Sequence, residues 1–444
     1  MTPKSLQIEK MAFGGAGFGR YDGKACFIPY TARGDVIEFD VVADKKSYLS
    51  GKLRDIVLPS PLRVTPPCPV FGACGGCQWQ HLPYSEQLNS KQEIFTELLT
   101  RIARLEPEVI EPIVGSTEQF GYRTRIQLKV RYISGVLHLG FYRAGSHFVV
   151  DIPEHCPITR LPINRLIPRL YGLLSTLPEP DKVPQVDAAA GEDGRVLLTF
   201  HYIGGRLDET ISFLEKNSHA LPEVEGIWLQ SGRKASLVHV TGGTALSYCV
   251  PDSAGRILRL IFSRGGFSQV NLQQNVKLVE TVLEWLQDRR LGRVLDIFCG
   301  NGNFSLPLAS AADAILGIEG YQPSIDDARE NSLKNGIQNA EYVCADAAEG
   351  IGKVIERGEY FHTVILDPPR DGARDIVAKL ITLKPQVIIY VSCDPATLAR
   401  DLSLLRKGGY AVVKSRPFDM FPQTYHIESI SMLTAVSDEE KDYV

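Results

Sequence analysis

Asp296-Ile297-Phe298-Cys299-Gly300-Asn301-Gly302-Asn303-Phe304 ends an apolar run and opens a helical pattern over residues 303–310. A Gly-x-Gly turn between strand and helix lets the backbone approach a ligand, because glycine has no Cβ to hold it off. A dinucleotide fingerprint would continue to a third glycine at the helix N-terminus, where pyrophosphate rests. Here that position is Ser305. Two acids compensate: Glu319 ends the next apolar run and Asp346 follows the third, residues 340–344. The first can accept both hydroxyls of a ribose, and the second can reach an adenine amino group. Two glycines and two acids without a phosphate cradle fit S-adenosylmethionine, with a NAD-type or degenerate dinucleotide domain as the alternative.

Working outward from this turn, residues 266–444 alternate strands and helices. Helices are predicted over 275–287, 303–310 and 323–335. Strands are predicted over 294–297, 314–319, 340–344, 363–367, 387–393 and 411–418. Such a series gives an α/β, Rossmann-like, doubly wound parallel sheet with its ligand at the strand C-termini. Residues 1–62 show short strands (26–28, 36–42, 52–58) between Gly-rich turns, the pattern of a small OB-like barrel. That region carries ten basic residues against seven acidic ones from Lys4 to Arg63. Residues 63–265 form a central, mostly β region, with one helix expected after residue 119 and another over 84–104. The acidic tail, 437–444, is expected to fray.

Composition narrows the class. The 444 residues are 44% hydrophobic and 23% charged, ordinary globular values that exclude a disordered or collagenous chain. No apolar run approaches the roughly 18 residues of a membrane span, and the N-terminus lacks a secretory core, so a cytoplasmic protein is expected. The net charge of −4 argues against nucleic acid globally, yet from Gln119 to Val150 there are cations and no acid. Arg123, Arg125, Lys129 and Arg131 alternate there with aromatics such as Tyr122 and Tyr132. Cations take phosphates and rings stack unpaired bases, so this stretch is a candidate RNA surface. A sheet face that is merely basic would look the same.

Two further stretches carry chemistry. Asp367-Pro368-Pro369-Arg370 ends the fourth strand, where a stiff loop holds a carboxylate at the cofactor's edge. Ser392-Cys393-Asp394-Pro395-Ala396-Thr397 ends the fifth. A free cysteine is commonly a small packing residue. Cys393, however, sits on the rim where a methyl donor's reactive carbon would lie, and a thiolate is a strong nucleophile. Carbon 5 of a pyrimidine is a poor nucleophile until a thiolate adds to carbon 6. A base must afterwards remove the carbon-5 proton, and Glu428, in Tyr425-His426-Ile427-Glu428-Ser429, is a candidate.

The stretches Phe267-Ser268-Gln269-Val270-Asn271, 296–304, 367–370, 392–401 and 419–428 together resemble the RNA 5-methyluridine methyltransferase family over nearly the whole chain. The N-terminal stretch is similar to a TRAM domain. The resemblance implies Cys393 as nucleophile and Glu428 as the base. It also implies Phe298, Gly300, Asn303, Glu319, Asp346 and Asp367 around S-adenosylmethionine, with Gln269 between cofactor and uracil. Phe267 and Asp367 would then lie near the target base. Asp394 and Pro369 stand where the family often shows Asn and Ala.

Nine cysteines in a chain of this length argue against a disulfide framework. Cys68-x5-Cys74-x2-Cys77, completed by Cys156, offers four thiolates suited to zinc or to an iron–sulfur cluster. The spacing differs from that of radical enzymes, which leave one iron open. The family resemblance implies a closed [4Fe-4S] cluster. With a TRAM-like segment, it also implies the branch that acts on 23S ribosomal RNA, as a monomer in the cytoplasm. A tRNA uridine-5 methyltransferase is the alternative. A cytosine-5 enzyme lacks its expected motif around Cys393. A non-catalytic iron–sulfur RNA-binding protein would not need Cys393 and Glu428 together.

Overall fold

The computed structural model describes residues 4–152, 154–232 and 236–436; the acidic tail 437–444 lies outside them. It contains three large sheets and one separate hairpin.

The first sheet has six strands in the order Lys4–Gln7, Val36–Asp44, Tyr48–Leu58, Lys24–Pro29, Ala16–Tyr21 and Lys10–Met11. It closes over a small core that includes Leu6, Cys26, Ile28, Ile37, Phe39 and Leu49. Three of these strands were expected from the sequence. The other three are short, and the two-residue strand Lys10–Met11 is too brief to show a period. The helix Tyr84–Leu98 follows and ends in a π-helical turn, Leu99–Ala103, so the helical stretch expected over 84–104 is observed in two geometries.

The second sheet has seven strands, with Arg125–Ile133 paired antiparallel to both Val136–Tyr142 and Gln185–Ala190. Its strand period of two sends Ile126, Leu128 and Val130 into the core and Arg125, Lys129 and Arg131 to the other face. Two helices belong to this region, Leu161–Ser175 and Leu207–Asn217, where the sequence suggested one. The second buries only Thr210 and Leu214, too narrow a stripe to read as a helical face. The hairpin Ala245–Pro251/Ile257–Ser263 shares a core with helix Leu272–Leu286.

The third sheet runs Ala340–Cys344, Ala314–Glu319, Arg293–Ile297, Thr363–Leu366, Val387–Ser392, Glu428–Ala435 and Tyr410–Phe418. Strand order reverses between Arg293–Ile297 and Thr363–Leu366, which opens a crevice at their C-terminal ends. The expected wholly parallel sheet is corrected at one strand: Glu428–Ala435 is antiparallel to both neighbours. Its first six residues are all buried, so no polar alternation marks it in the sequence.

Candidate active site

The turn after Arg293–Ile297 is built from backbone. Phe298 adopts φ +66°, and the Phe298 and Cys299 N–H groups both donate to the Ile318 carbonyl, at 2.9 and 3.1 Å. The two glycines differ. Gly302 has φ +89°, and a Cβ there would sit 2.6 Å from Leu306. Gly300 has φ +55°, and a Cβ there would meet nothing within 4 Å. That open space is the cradle a ligand would fill. At its rim, Glu319 accepts from the Gly300 N–H at 3.3 Å and from the Tyr321 N–H at 2.9 Å.

Asn303 is engaged from beneath. It exchanges two hydrogen bonds with Asn275, at 2.8 and 2.9 Å, and accepts a third from the Tyr248 hydroxyl. Asp346 stands exposed at the end of Ala340–Cys344, where Oδ1 caps helix Ala347–Glu356. Deeper, burial pushes the Asp296 carboxyl up to about 7 against a hydrogen bond from Ser305, and the Asp296 Oδ2 finds no partner among the described residues. Burial likewise pushes Asp367 up to about 7. Two buried acids, one with an unsatisfied oxygen, beside an open glycine cradle suit a cationic ligand such as a sulfonium.

The reactive pair is set by strand register. Val387–Ser392 and Glu428–Ala435 pair antiparallel, and their last pair at this end is Ser392 with Ser429. Cys393 follows Ser392 just past the end of its strand, and Glu428 precedes Ser429 on the neighbouring strand. The two lie within electrostatic reach of each other. The Cys393 thiol is pushed up to about 12, by burial first and then by the negative charges of Glu428 and Asp367, while Arg370 opposes the shift. Burial raises Glu428 well above the usual carboxylate range, Asp367 adds to this, and Arg370 again opposes it. The buried Glu428 Oε1 has no partner among the described residues. Asp394 caps helix Pro395–Lys407 through the Ala396 and Thr397 N–H groups, both at 2.9 Å, which fixes the chain just past Cys393.

Gln269 is buried and Phe267 is exposed, on the segment that joins the middle region to helix Leu272–Leu286. The Gln269 and Val270 carbonyls accept from Thr124, so this segment is pinned to the start of the basic strand.

A cleft of about 1080 Å³ leads away from Arg370 and His426. Its walls carry Cys68, Cys74, Cys77 and Cys156 on one side and the basic strand on the other. All four cysteines are free thiols. Burial raises Cys68, Cys74 and Cys77, and each of the three also feels Cys156, so the four converge. Among the described residues no group of three His, Cys, Asp or Glu side chains is closed enough to hold a single metal ion. The donor chemistry, four cysteines within electrostatic reach of one another, suits a thiolate-held group, and the Gly76 N–H donates to the Cys74 Sγ at 3.4 Å.

The four basic residues divide. Arg123 and Lys129 line the cleft, Lys129 bonded to Gln185 and 5.3 Å from the Tyr142 ring centre. Arg131 lies on the same strand face, hydrogen-bonded to the Tyr142 hydroxyl at 2.9 Å. Arg125 also lines the cleft, but its guanidinium is engaged: it donates to the Gly266 carbonyl at 2.6 Å and lies over the Phe262 ring.

The description tRNA (uracil-5-)-methyltransferase matches residues 83–436. The chain belongs to this family. It is 37% identical over 440 residues to the 23S rRNA (uracil(1939)-C(5))-methyltransferase RlmD of Pseudomonas fluorescens, covering 98% of this chain and 93% of the relative. The RlmD of Salmonella typhi is 36% identical, with coverage of 96% and 95%. A crystal structure of the Pyrococcus abyssi tRNA (uracil-54, C5)-methyltransferase with S-adenosyl-L-homocysteine superposes with a TM-score of 0.73 at 27% identity, covering 97% of this chain and all of that one. Family membership accounts for the methyl-donor fold around 296–304 and for the α/β architecture.

Sequence reasoning passed over three features of the site. Arg370 was read only as part of its loop, yet it is the cation that faces both Cys393 and Glu428. Asp296 was read as part of the turn; its burial could not be seen from spacing. Lys91, fully buried in an ion pair with Asp419, lies on a helix whose sequence shows an ordinary polar residue there.

Proposed function

We propose that this protein transfers a methyl group from S-adenosylmethionine to carbon 5 of a uridine in 23S ribosomal RNA. The observation that supports the reading is the nearness of two ends: Cys393 just past strand Val387–Ser392, and Glu428 at the start of the strand paired with it, each within electrostatic reach of the other. The Cys393 thiol gives up its proton to solvent and Sγ bonds to carbon 6, sending the 5,6 π electrons into an enolate through the carbon-4 carbonyl. Carbon 5 then takes the methyl group, and the electrons of the broken sulphur–methyl bond remain on the homocysteine sulphur. The Glu428 carboxylate accepts the carbon-5 proton. The electrons of that bond restore the 5,6 double bond, and the carbon 6–Sγ bond breaks to release the thiolate. Arg370 favours the ionised forms of both residues, and Asp367 holds the donor side of the pocket.

The ribosomal substrate is supported by near full-length likeness to the RlmD relatives. The same reading has a cytoplasmic monomer with Arg123, Lys129 and Arg131 against RNA phosphates, Phe267 and Gln269 beside the target base, and a TRAM-type N-terminal sheet. Cys68, Cys74, Cys77 and Cys156 would hold a [4Fe-4S] cluster, which contributes a rigid cross-link between the segments that bear them. A transfer-RNA substrate is the second reading, favoured by the likeness to the Pyrococcus enzyme.

The test pairs two variants with mapping. Glu428→Gln should stall after methyl transfer and accumulate methylated RNA joined to Cys393, seen as a band that survives denaturing electrophoresis. Cys393→Ala should give neither product nor band. Normal turnover by Glu428→Gln removes Glu428 from the chemistry. Mass-spectrometric mapping of 5-methyluridine in ribosomal and transfer RNA from a deletion strain separates the two substrates.

A further inference from the structure

The loop 419–427 joins Tyr410–Phe418 to Glu428–Ala435, and Phe418 pairs with Glu428 at its foot. Much of its hold comes from the segment just after Cys77. The Gln78 and Trp79 N–H groups both donate to the Gln423 carbonyl, at 3.1 and 3.0 Å. The Gln423 N–H donates to the Gln87 Oε1 at 2.9 Å, and the Gln87 Nε2 donates to the Gln423 Oε1 at 3.0 Å. One helical turn on, the Lys91 ammonium lies 2.5 Å from the Asp419 Oδ1 and donates to the Phe421 carbonyl at 3.1 Å. Both members of that ion pair are fully buried. Gln423 itself has φ +70°, a left-handed conformation that a non-glycine residue keeps only where its surroundings hold it.

A buried ion pair and a doubly bonded glutamine are more than is needed to close a turn. A well-packed apolar substitute for such a pair is commonly as stable or more so. What the polar arrangement adds is a fixed position, since each bond is directional and each buried partner is lost if the loop shifts.

We infer that Gln87 and Lys91 are positioning residues for Glu428: they hang the loop 419–427 from the helix behind the cysteine segment and thereby set the base over carbon 5. The inference rests on the function proposed above and assigns these two residues to the second half of the reaction. Capture of RNA by Cys393 depends on strand Val387–Ser392 and helix Pro395–Lys407, which the side-chain hydrogen bonds of Gln87 and Lys91 do not reach among the described residues. Removal of the carbon-5 proton depends on where the foot of the loop stands.

The experiment separates the halves. RNA carrying 5-fluorouridine reports attack and methyl transfer alone, because fluorine cannot leave as a cation and the adduct is permanent. Ordinary RNA reports complete turnover. Gln87→Met keeps side-chain length and removes the bonds to Gln423. We expect its rate of trapping by fluorinated RNA to stay within about twofold of wild type. Turnover should fall between about tenfold and a hundredfold, the scale of a misplacement near 1 Å, and methylated adduct should build up on ordinary RNA. The double replacement Lys91→Met with Asp419→Leu removes the ion pair without stranding a charge and should show the same split. Assays are run below each variant's unfolding midpoint, and S-adenosylhomocysteine affinity is measured alongside. Equal loss of trapping and turnover, or no loss of either, overturns the inference. A wild-type enzyme that forms no adduct with fluorinated RNA refutes the proposed function instead, so the two failures are distinguishable.

Discussion

Replacing Gly300 and Gly302 by alanine, one at a time, should damage the protein in opposite ways, although the two lie in one turn. At Gly302 the new Cβ would be 2.6 Å from one Leu306 carbon, 2.8 Å from another and 3.1 Å from the Tyr342 hydroxyl. Leu306 and Tyr342 are buried in the core beneath the loop and cannot swing aside. A left-handed backbone costs an alanine about 1–2 kcal/mol, and forcing a methyl group into a packed core adds about 1–3 kcal/mol. Gly302→Ala should therefore lose about 2–5 kcal/mol of stability. At Gly300 the φ of +55° carries only the backbone term, since a Cβ meets nothing within 4 Å. Gly300→Ala should lose about 1–2 kcal/mol, yet its methyl group would enter the space assigned to the cofactor. Denaturant unfolding measures the first effect and calorimetric titration with S-adenosylhomocysteine the second. We expect Gly302→Ala to be the less stable variant and Gly300→Ala the weaker binder, by tenfold or more for about 1.4 kcal/mol of lost contact. A Gly300→Ala protein that binds S-adenosylhomocysteine like wild type would mean that the open face of this turn is not where the cofactor lies.

Four other outcomes are expected. Asp296 and Asp367, both raised to about 7, are uncharged in acid and ionise near neutrality. S-adenosylmethionine, which carries a sulfonium, should thus gain affinity over S-adenosylhomocysteine, whose thioether is neutral, as pH rises through 7. One full charge about 5 Å away is worth about 3 kcal/mol at an effective dielectric of about 20, and a flat ratio from pH 6 to 8 would refute it. In the unliganded protein the same raised acids favour the folded state at low pH and lose that contribution as pH rises through 7. Lys129→Ala should lower the salt slope of RNA binding by about one unit. Arg125→Ala should instead lower the unfolding midpoint, because its guanidinium is spent on the Gly266 carbonyl; the reverse pattern would mean that Arg125 meets the RNA. Purified without oxygen, the protein should be brown and carry about four irons per chain, and Cys77→Ser should bleach it; a colourless protein with one zinc refutes the cluster.

The strands Ala314–Glu319 and Ala340–Cys344 were legible to the residue because each is bounded by turn residues, the first a half-buried apolar run and the second a short strand about the buried Tyr342. Helix Leu272–Leu286 was legible from its apolar stripe, although its start lies at the Asn271 cap rather than at Asn275. What the sequence hid was the place of Glu428. Its strand is buried on both faces, and it lies between two strands that both precede it in the chain, which no local pattern encodes. The candidate pair Cys393 and Glu428 was therefore nameable by resemblance, while its geometry depended on a long-range pairing. The basic strand shows the converse limit. Alternation placed Arg125 beside Lys129, and both line the cleft, but the Arg125 guanidinium is held by the Gly266 carbonyl while Lys129 meets the Gln185 side chain, and only tertiary contacts distinguish them. Asp346 was likewise visible as an acid after a strand, and its service as a helix cap was not.

The central position of Glu428–Ala435 has a consequence for biosynthesis. Chains are made from the N-terminus, so the segment that must slide between Val387–Ser392 and Tyr410–Phe418 is the last strand of this sheet to be synthesised. Until it emerges, Tyr410–Phe418 has no strand partner in the sheet, since its one ladder is to Glu428–Ala435. The nucleophile is already translated at that stage, but the base is not yet seated, and the gap between the flanking strands exposes unpaired backbone. A nascent chain thus has no assembled reactive pair until Glu428–Ala435 has emerged. Under the function proposed here, catalytic competence begins only when this last strand of the sheet is seated.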